Sequence, residues 1–331
     1  SLEEIMTMTI NDNDRDYMKE SIRLQLNLVQ KKMEHLKMVE QSLKDTAKRI
    51  ETSSEIDWNE VMELLHVTNM EKSLVEQYKN ASNLDIRIDL HKKYSQNPVS
   101  WFDWIFRKLH LSAGDEILEV GCGTGALWKG HEDQIPHGVH ITLSDRSEGM
   151  VKDARKLLGD GKGVFSYETF PCEKIPKEKE KYDLVIANHV LFYLKDRQEA
   201  LREIKRVLKP GGMFLCSTYG SRHMQEITRM VQEFDQRITL SANHLYEEFG
   251  LENGKEQLMD VFSDVQREDY EDELLVDQPE PLISYILSCH GNQHEYLASR
   301  YLEFKEFVRR RVEEEGRMKI TKNAGIFLCR G

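Results

Sequence analysis

The side chains best suited to chemistry lie where two apolar segments of the chain end. Residues 117–128 read ILEVGCGTGALW, so Glu119 closes an apolar stretch and three glycines follow before a predicted helix. A second apolar stretch, residues 139–145, ends at Asp145. Glycines bring bare backbone N–H groups close to a ligand, and a carboxylate accepts hydrogen bonds from both hydroxyls of a ribose. The spacing therefore predicts a site for a nucleoside-containing cofactor.

The glycines alone do not separate two classes of cofactor. The pattern Gly121-x-Gly123-x-x-Ala126 also satisfies the dinucleotide-binding motif, so a nicotinamide cofactor and S-adenosylmethionine both fit it. Later segments separate the two. Residues 182–188, YDLVIAN, predict another buried strand, and the LKPGG segment predicts a turn before an apolar strand at 213–218.

The order of these motifs resembles that of class I S-adenosylmethionine-dependent methyltransferases. The motifs are ExGCGTG, an acid one strand later, YDLVIAN and LKPGG. The resemblance covers roughly residues 85–331. It implies an α/β fold, a doubly wound seven-stranded mixed sheet of the Rossmann-like methyltransferase type whose last strand runs antiparallel. Residues 317–331 are predicted to form two short strands about a turn. The implied activity is methyl transfer from S-adenosylmethionine to an oxygen, nitrogen or carbon of a small molecule, and a nucleotide-dependent oxidoreductase ranks lower.

Position on this pattern assigns the side chains expected around the cofactor. Glu119 would face the cofactor amine, because a carboxylate complements its positive charge, and Asp145 would hold the ribose. Many family members have an Asp for adenine where this chain has Pro171, so backbone groups at Cys172 would substitute. Tyr94 would close over the methionine end, although simple packing explains it equally well. The complete predicted cofactor set is Tyr94, Glu119, Gly121, Cys122, Gly123, Asp145, Arg146, Met150, Cys172, Glu173 and Asn188.

Candidate catalytic residues follow the fourth predicted strand, at the sheet edge where open α/β folds bind ligands. His189 is a candidate base because its pKa lies near physiological pH, and Tyr193 is a second candidate; the alternative is that both only line the pocket. Residues 219–295 are predicted as a helical insertion that covers the acceptor. The acidic run at 268–273 is predicted to be a solvent-facing loop rather than a metal site.

Composition excludes several classes of protein. The chain has 331 residues and a net charge of -12, which argues against nucleic-acid binding through phosphates by the chain as written. Its five cysteines show no CxxC spacing, so neither disulfides nor a zinc site is predicted, and a reducing cytoplasm is the expected compartment. No apolar run approaches the roughly 20 residues of a membrane span, and no signal peptide is recognised.

The N-terminal region, residues 1–80, differs from the predicted methyltransferase domain at 81–331. Apolar residues recur every seven positions from Ile22 to Ile50, which predicts a coiled-coil helix. Because a lone helix would leave this seam in water, we expect a homodimer through it, the alternative being an amphipathic helix that packs on its own domain.

This opening also resembles the dimerisation helix of MerR-family transcription regulators. The resemblance rests on SLEEI, at the first residues, and on the heptads that follow. It implies an alternative function, in which the methyltransferase-like domain binds S-adenosylmethionine or its product and reports to a DNA-binding head. The chain would then be a fragment that lacks this basic head.

Overall fold

The structure is a computed structural model, and it describes residues 86–159, 163–241, 245–289, 291–297 and 300–331. All of them belong to the unit Asn80–Gly331. The predictions for residues 1–80, namely the coiled coil, the dimer and the MerR-like helix, lie outside the described residues.

Within the described residues, seven strands form one sheet, which begins with the two apolar segments around the glycines. The strands are β1 (Glu116–Val120), β2 (His140–Asp145), β3 (Phe165–Thr169), β4 (Tyr182–Asn188), β5 (Leu208–Tyr219), β6 (Asp264–Val276) and β7 (Met318–Arg330). Their order in the sheet is β3-β2-β1-β4-β5-β7-β6. The strands β1 to β5 pair in parallel, and β7 runs antiparallel to both β5 and β6. The predicted seven-stranded mixed sheet is confirmed.

Helices cover the sheet because its strands are apolar on both sides. Leu118 of β1 and Val185 of β4 pack in one core cluster, whereas Ile117 and Ile186 pack in another, as the alternation of side chains along a strand requires. Residues 86–94 are also helical. The helices after them are α1 (Trp101–Lys108), α2 (Glu148–Leu158), α3 (Arg197–Val207), α4 (Gln225–Phe234), α5 (Leu245–Glu248), α6 (Gly254–Met259), α7 (Pro279–Ser288), α8 (Gln293–Leu297) and α9 (Tyr301–Glu315).

The two longest strands extend past the end of β5 and carry a third core cluster. The partners β6 and β7 each have 13 residues, and β5 ends where Tyr219 pairs with Ala324. The residues of β7 before that point, such as Ile320, pack with helices α4, α7 and α9. This helical layer forms a cap beside the carboxyl end of the central strands.

The structure differs from the sequence predictions at four places in this region. Residues 317–331 do not fold as two strands about a turn, because β7 pairs with β6 along its whole length. The acidic run at 268–273 is not a loop, since it lies in β6, and the predicted helical insertion at 219–295 therefore contains a strand. The LKPGG segment lies within β5, although the pairing of β5 with β4 shifts register beside it. Strand β6 lies at the edge of the sheet, and most of its charged residues are at least partly exposed.

Asp272 of β6 ties the segment before α1 to the sheet. Its carboxylate accepts hydrogen bonds from the Ser95 hydroxyl at 2.7 Å and from the backbone N–H groups of Gln96 and Asn97 at 3.0 Å each. It also pairs with the Lys322 ammonium of β7 at 3.1 Å, and the Asp272 side chain has no exposed surface. One buried carboxylate therefore holds two strands and the segment that leads into α1.

We expect Asp272→Asn to lower the free energy of unfolding by about 3 kcal/mol, because it leaves the buried Lys322 ammonium without a counter-charge. Urea unfolding followed by circular dichroism measures this change. Asp269→Asn on the same strand is the matched control, since its ion pair with Arg267 is half exposed and is worth at most about 1 kcal/mol. Equal effects of the two variants would contradict the role given to Asp272.

Candidate active site

The glycine segment after β1 passes close to the segment after β4. Gly121 has a φ of 65°, and a Cβ atom added there would lie 2.4 Å from a methyl carbon of Val190. Any side chain at this position would thus combine an unfavourable backbone conformation with a clash. The close approach brings the ends of β1 and β4 together at the point where the strand order reverses, which is the ligand-binding position of open α/β sheets.

The helix predicted directly after the glycines is not formed. Hydrogen bonds from Gly125 N–H to Cys122 O and from Trp128 N–H to Gly125 O span three residues, so this segment is a series of turns. Positive φ values at Gly123 and Gly125 interrupt the helical pattern. The ligand would therefore meet turn N–H groups rather than the first turn of a regular helix.

Asp145 ends β2 as predicted, and its carboxylate faces the glycine segment. One oxygen accepts a hydrogen bond from the Gly123 N–H at 3.1 Å, and the other accepts one from the Ser147 N–H at 2.8 Å. Each carboxylate oxygen has a second lone-pair position, so both can still accept from ribose hydroxyls. Burial raises the pKa of Asp145, while these two N–H groups act in the opposite direction. The glycine segment and the predicted ribose acid thus form one unit.

Glu119 is a buried acid beside this unit. Its side chain is 2% exposed, and it accepts a hydrogen bond from the Trp128 indole N–H at 2.7 Å. The pKa of Glu119 is raised to about 8, mainly by burial. The hydrogen bond from Trp128 opposes this increase, and the charge of Asp145 adds to it. A buried carboxyl beside a second carboxyl is suited to a cation, since a positive group would stabilise its ionised form. The amine of the predicted cofactor fits this requirement.

The end of β4 is held by a serine of β5. The Ser217 hydroxyl donates to Asn188 Oδ1, and it accepts a hydrogen bond from the His189 N–H at 2.9 Å. His189 has a φ of 56°, a conformation that is unfavourable for a residue with a side chain and that often marks functional sites. This backbone turn directs the chain from the cofactor side of the sheet toward the cap.

The His189 ring belongs to a continuous run of ring contacts between four segments. Trp101 of α1 stacks on His189 with centroids 5.3 Å apart, and Tyr219 lies 6.3 Å away. Tyr219 contacts His223 at 5.2 Å, and His223 stacks on His91 at 5.8 Å. These five residues are half-buried. We refer to Trp101, His189, Tyr219, His223 and His91 as the ring surface.

The imidazoles of the ring surface are neutral at physiological pH. Burial lowers the pKa of His189 to about 4 and that of His91 to about 3, and it also lowers the pKa of His223. The Lys322 ammonium lowers all three further. A neutral imidazole can accept a proton, which a permanently protonated one cannot.

Lys322 lies at the boundary between the ring surface and a cleft. Its ammonium is 4.7 Å from the ring centroid of Tyr270 and 5.8 Å from that of Trp101. The cleft has a volume of about 710 Å³, and its walls include Lys322, Asn323, residues 96–98 and four acidic residues of β6, namely Asp269, Glu271, Asp272 and Glu273. The cleft therefore lies beside β6 and β7.

The remaining predicted site residues are distributed around this centre. Arg146 is exposed and Met150 is half-buried, next to the Ser147 hydroxyl that caps α2. Cys172 is buried, which raises the pKa of its thiol to about 12, and Glu173 is half-buried. Their contact with adenine stays a prediction, as do the cofactor contacts of Cys122 and Asn188.

The structure shows the surroundings of two aromatic residues that were predicted to line the site, Tyr94 and Tyr193. Tyr94 lies at the end of helical residues 86–94 rather than in a loop, it is 5% exposed, and its hydroxyl donates to Gln278 at 3.3 Å. These contacts use its ring and its hydroxyl in packing within the cap, and its contact with the cofactor stays a prediction. Tyr193 is 54% exposed and contacts Phe192 at 4.6 Å, so it is accessible to a ligand.

Three residues beside the site were missed from the sequence. His91 and Lys322 come from opposite ends of the described chain, and Trp101 was assigned only to packing. No local motif identifies them, since they meet only through tertiary contacts. A weak signal for Lys322 was present, because a lysine within an otherwise buried strand requires a partner.

Comparison with known proteins agrees with this geometry. A family described as a methyltransferase domain matches residues 118–216. A ubiquinone/menaquinone biosynthesis C-methyltransferase of Geobacter sulfurreducens is 27% identical over 186 residues, 56% of this chain and 70% of that protein. A malonyl-[acyl-carrier protein] O-methyltransferase of Bacillus anthracis is 31% identical over 160 residues, 47% of this chain and 56% of that protein. The solved structure of YcgJ from Bacillus subtilis aligns with 70% of this chain and 98% of its own, at 16% identity and a TM-score of 0.48.

The methyltransferase-domain match and the two named methyltransferases define the class of protein. The protein is an S-adenosylmethionine-dependent methyltransferase, and the prediction of S-adenosylmethionine as its cofactor is confirmed. Among the described residues, no helix is long and apolar enough to cross a membrane, and no three potential ligands are grouped for a metal ion.

We expect the affinity for S-adenosylmethionine to rise as the pH approaches 8, the pKa of Glu119, because only the ionised carboxylate attracts the cofactor amine. Below that value the affinity would fall by up to about tenfold per pH unit. Isothermal titration at several pH values measures the effect, and Glu119→Gln should remove it. Glu116→Gln is the matched control, because this acid of the same strand contacts the half-exposed His140. A pH dependence that persists in Glu119→Gln would contradict the prediction.

Proposed function

We propose that the protein transfers the methyl group of S-adenosylmethionine to a small-molecule acceptor that binds against the ring surface. When bound, the cofactor supplies an electrophilic methyl group: a bond forms from the acceptor atom to the methyl carbon, and the electrons of the broken C–S bond stay on sulfur. The observation that carries the proposal is the position of His189, which follows the strand end at Asn188 and stacks on Trp101.

Residues at the ends of β1 and β2 would bind the cofactor, and residues after β4 would contact the acceptor. Gly121, Asp145 and Glu119 would bind and orient the cofactor, with Asp145 accepting from the ribose and Glu119 pairing with the amine. His189 would take the acceptor proton, since it is neutral, and Tyr193 would line the same side. Most of the acceleration would come from placing the acceptor in line with the methyl group, because orientation is the main requirement of such a transfer.

The names of the relatives do not select one class of acceptor. One relative is named for C-methylation in ubiquinone/menaquinone biosynthesis, and another for O-methylation of malonyl-[acyl-carrier protein]. The shared segment covers the cofactor region, 118–216, whereas Tyr219, His223 and the cap lie beyond it. The cap therefore carries the acceptor preference of this chain. Incubation of a metabolite extract with the protein and methyl-labelled cofactor, followed by mass spectrometry, identifies the acceptor; absence of any labelled product would contradict the proposal.

We expect Asp145→Ala to weaken binding of S-adenosylmethionine by about 1–3 kcal/mol, because the ribose hydroxyls lose their acceptor and the Gly123 N–H loses its partner. Isothermal titration measures the loss. Glu148→Gln serves as the control, since this nearby acid is exposed and pairs only with Lys152 at 2.8 Å. An unchanged affinity in Asp145→Ala, or tighter binding of NAD than of S-adenosylmethionine, would overturn the cofactor site.

We expect His189→Gln to lower kcat about a hundredfold with little change in cofactor affinity, because a positioned base contributes on this scale. Since the pKa of His189 lies at about 4, the wild-type kcat at saturating cofactor should not fall on acidification until the pH approaches that value. Steady-state kinetics with the identified acceptor tests both statements. His140→Gln, on the half-exposed start of β2, is the control. A variant with normal kcat would assign His189 to the pocket wall only.

A further inference from the structure

Buried polar atoms without a hydrogen-bond partner are concentrated at the ring surface. In the part of the chain that the structure describes, seven side-chain nitrogen or oxygen atoms are buried and unpartnered. Three of the seven belong to the ring surface, namely Trp101 Nε1, His91 Nδ1 and His223 Nδ1. Since buried polar groups in native proteins nearly always have a partner, three such atoms within five residues require an explanation.

The two imidazoles contact aromatic rings in the cap. His91 meets the edge of the Tyr285 ring at a centroid distance of 6.2 Å, and His223 lies 5.2 Å from the Tyr219 ring. A half-turn of a histidine ring about its Cβ–Cγ bond follows the two-fold preference of that torsion, and it breaks no hydrogen bond when Nδ1 is unpartnered. Because both residues are half-buried, a ligand that reaches their rings can pair with Nδ1 without the loss of a hydrogen bond there.

The surroundings of these imidazoles oppose charge of both signs. Burial is the largest cause of the lowered pKa of His91 and His223 and of the raised pKa of Tyr219. The charge of Lys322 is already compensated, because its ammonium pairs with the buried Asp272 carboxylate at 3.1 Å. An ion that moved from water to this surface would lose hydration, so an uncharged ligand is favoured.

A hydroxyl is a small uncharged group that suits all three unpartnered atoms. The indole N–H of Trp101 only donates, whereas a neutral imidazole has one donor and one acceptor nitrogen, and the tautomer decides which is which. A hydroxyl donates one hydrogen bond and accepts two, so it can pair with the indole and with either tautomer of an imidazole. The aromatic rings around these atoms favour a flat ligand through offset or edge-on contacts.

We propose that the acceptor is an uncharged aromatic molecule with a ring hydroxyl, and that His91 and His223 recognise this hydroxyl through hydrogen bonds to their Nδ1 atoms. This role rests on the proposed function and adds to it the residues that select the acceptor. The hydroxyl is a recognition group, whether or not its oxygen is also the methylated atom. His91 and His223 are thus specificity-determining residues, whereas His189 is the candidate base.

Binding of four small probes tests the chemistry of the ligand. Phenol, toluene, benzoate and benzylamine are titrated at neutral pH into the protein saturated with S-adenosylhomocysteine, the demethylated cofactor, and binding is followed by NMR. We expect phenol to bind at least about tenfold more tightly than toluene, a difference of about 1.4 kcal/mol, and more tightly than either ion. A smaller preference over toluene, an ion that binds as tightly as phenol, or no binding of phenol would overturn the proposal.

Variants with a phenyl ring in place of the imidazole separate recognition from packing. His91→Phe and His223→Phe keep a flat ring for stacking and remove the unpartnered nitrogen. We expect each to weaken phenol binding by at least about tenfold, while the free energy of unfolding does not fall, because an unsatisfied buried polar group is removed. His137→Phe, at an exposed position, is the matched control and should leave phenol binding unchanged.

Two results would contradict the role of the imidazoles. Unchanged phenol binding in both variants would make water, rather than the acceptor, the partner of the two nitrogens. A lower free energy of unfolding with an unchanged preference for phenol over toluene would assign both rings to packing. If the variants fail to fold, the imidazole nitrogen resonances of the wild-type protein decide: a shift of the His91 or His223 Nδ1 resonance on phenol binding supports the proposal, and no shift overturns it.

The labelled product from the metabolite extract separates this recognition from the proposed function. A protein that binds S-adenosylmethionine and labels a molecule with no ring hydroxyl before methylation would retain the methyl-transfer function and lose the recognition by His91 and His223. Failure to bind S-adenosylmethionine would instead remove the proposed function itself.

Discussion

The buried ion pair between Lys322 and Asp272 is the interaction on which the acceptor side of the molecule depends. Burying two charged groups is unfavourable unless each has an opposite charge or hydrogen-bond partners. Asp272 accepts hydrogen bonds from residues 95–97 and pairs with Lys322. That segment leads into α1 and so positions Trp101 over His189. The long strands β6 and β7 therefore position α1 and the Trp101 ring beside His189.

Burial shifts the pKa values of the titratable groups along the carboxyl edge of the sheet. Glu119 and Asp145 lie where a cationic cofactor is expected, and burial raises the pKa of both in its absence. The imidazoles beyond β4 and β5 are held neutral by burial and by Lys322. A positive group beside Glu119 and Asp145 would favour their ionised forms and so offset part of the cost of burying them.

Most of the central sheet and the cofactor side could be predicted, because their signals are local. ILEVGCGTG, Asp145 and YDLVIAN each combine a buried strand with a polar residue at its end, and parallel strands bring these ends together. Prediction failed where partners come from far along the chain. Residues 317–331 were split into a hairpin because the Asn-Ala-Gly sequence is typical of a turn, yet pairing with β6 keeps them extended. The acidic run 268–273 predicts a loop because charged residues usually face solvent, yet Asp272 is buried by its pairing with Lys322 and by donors from residues 95–97.

By itself, the sequence determined the class of fold and the cofactor, since glycine spacing and strand periodicity are properties of consecutive residues. Only the tertiary structure decided what surrounds the acceptor. Helical residues 86–94, α1 and the turn after β5 contribute His91, Trp101 and His223 to the ring surface, and Lys322 of β7 lies at its boundary, although more than two hundred residues separate His91 from Lys322. The physical reason is that stacking and charge pairing act between side chains in space, whatever their distance along the chain.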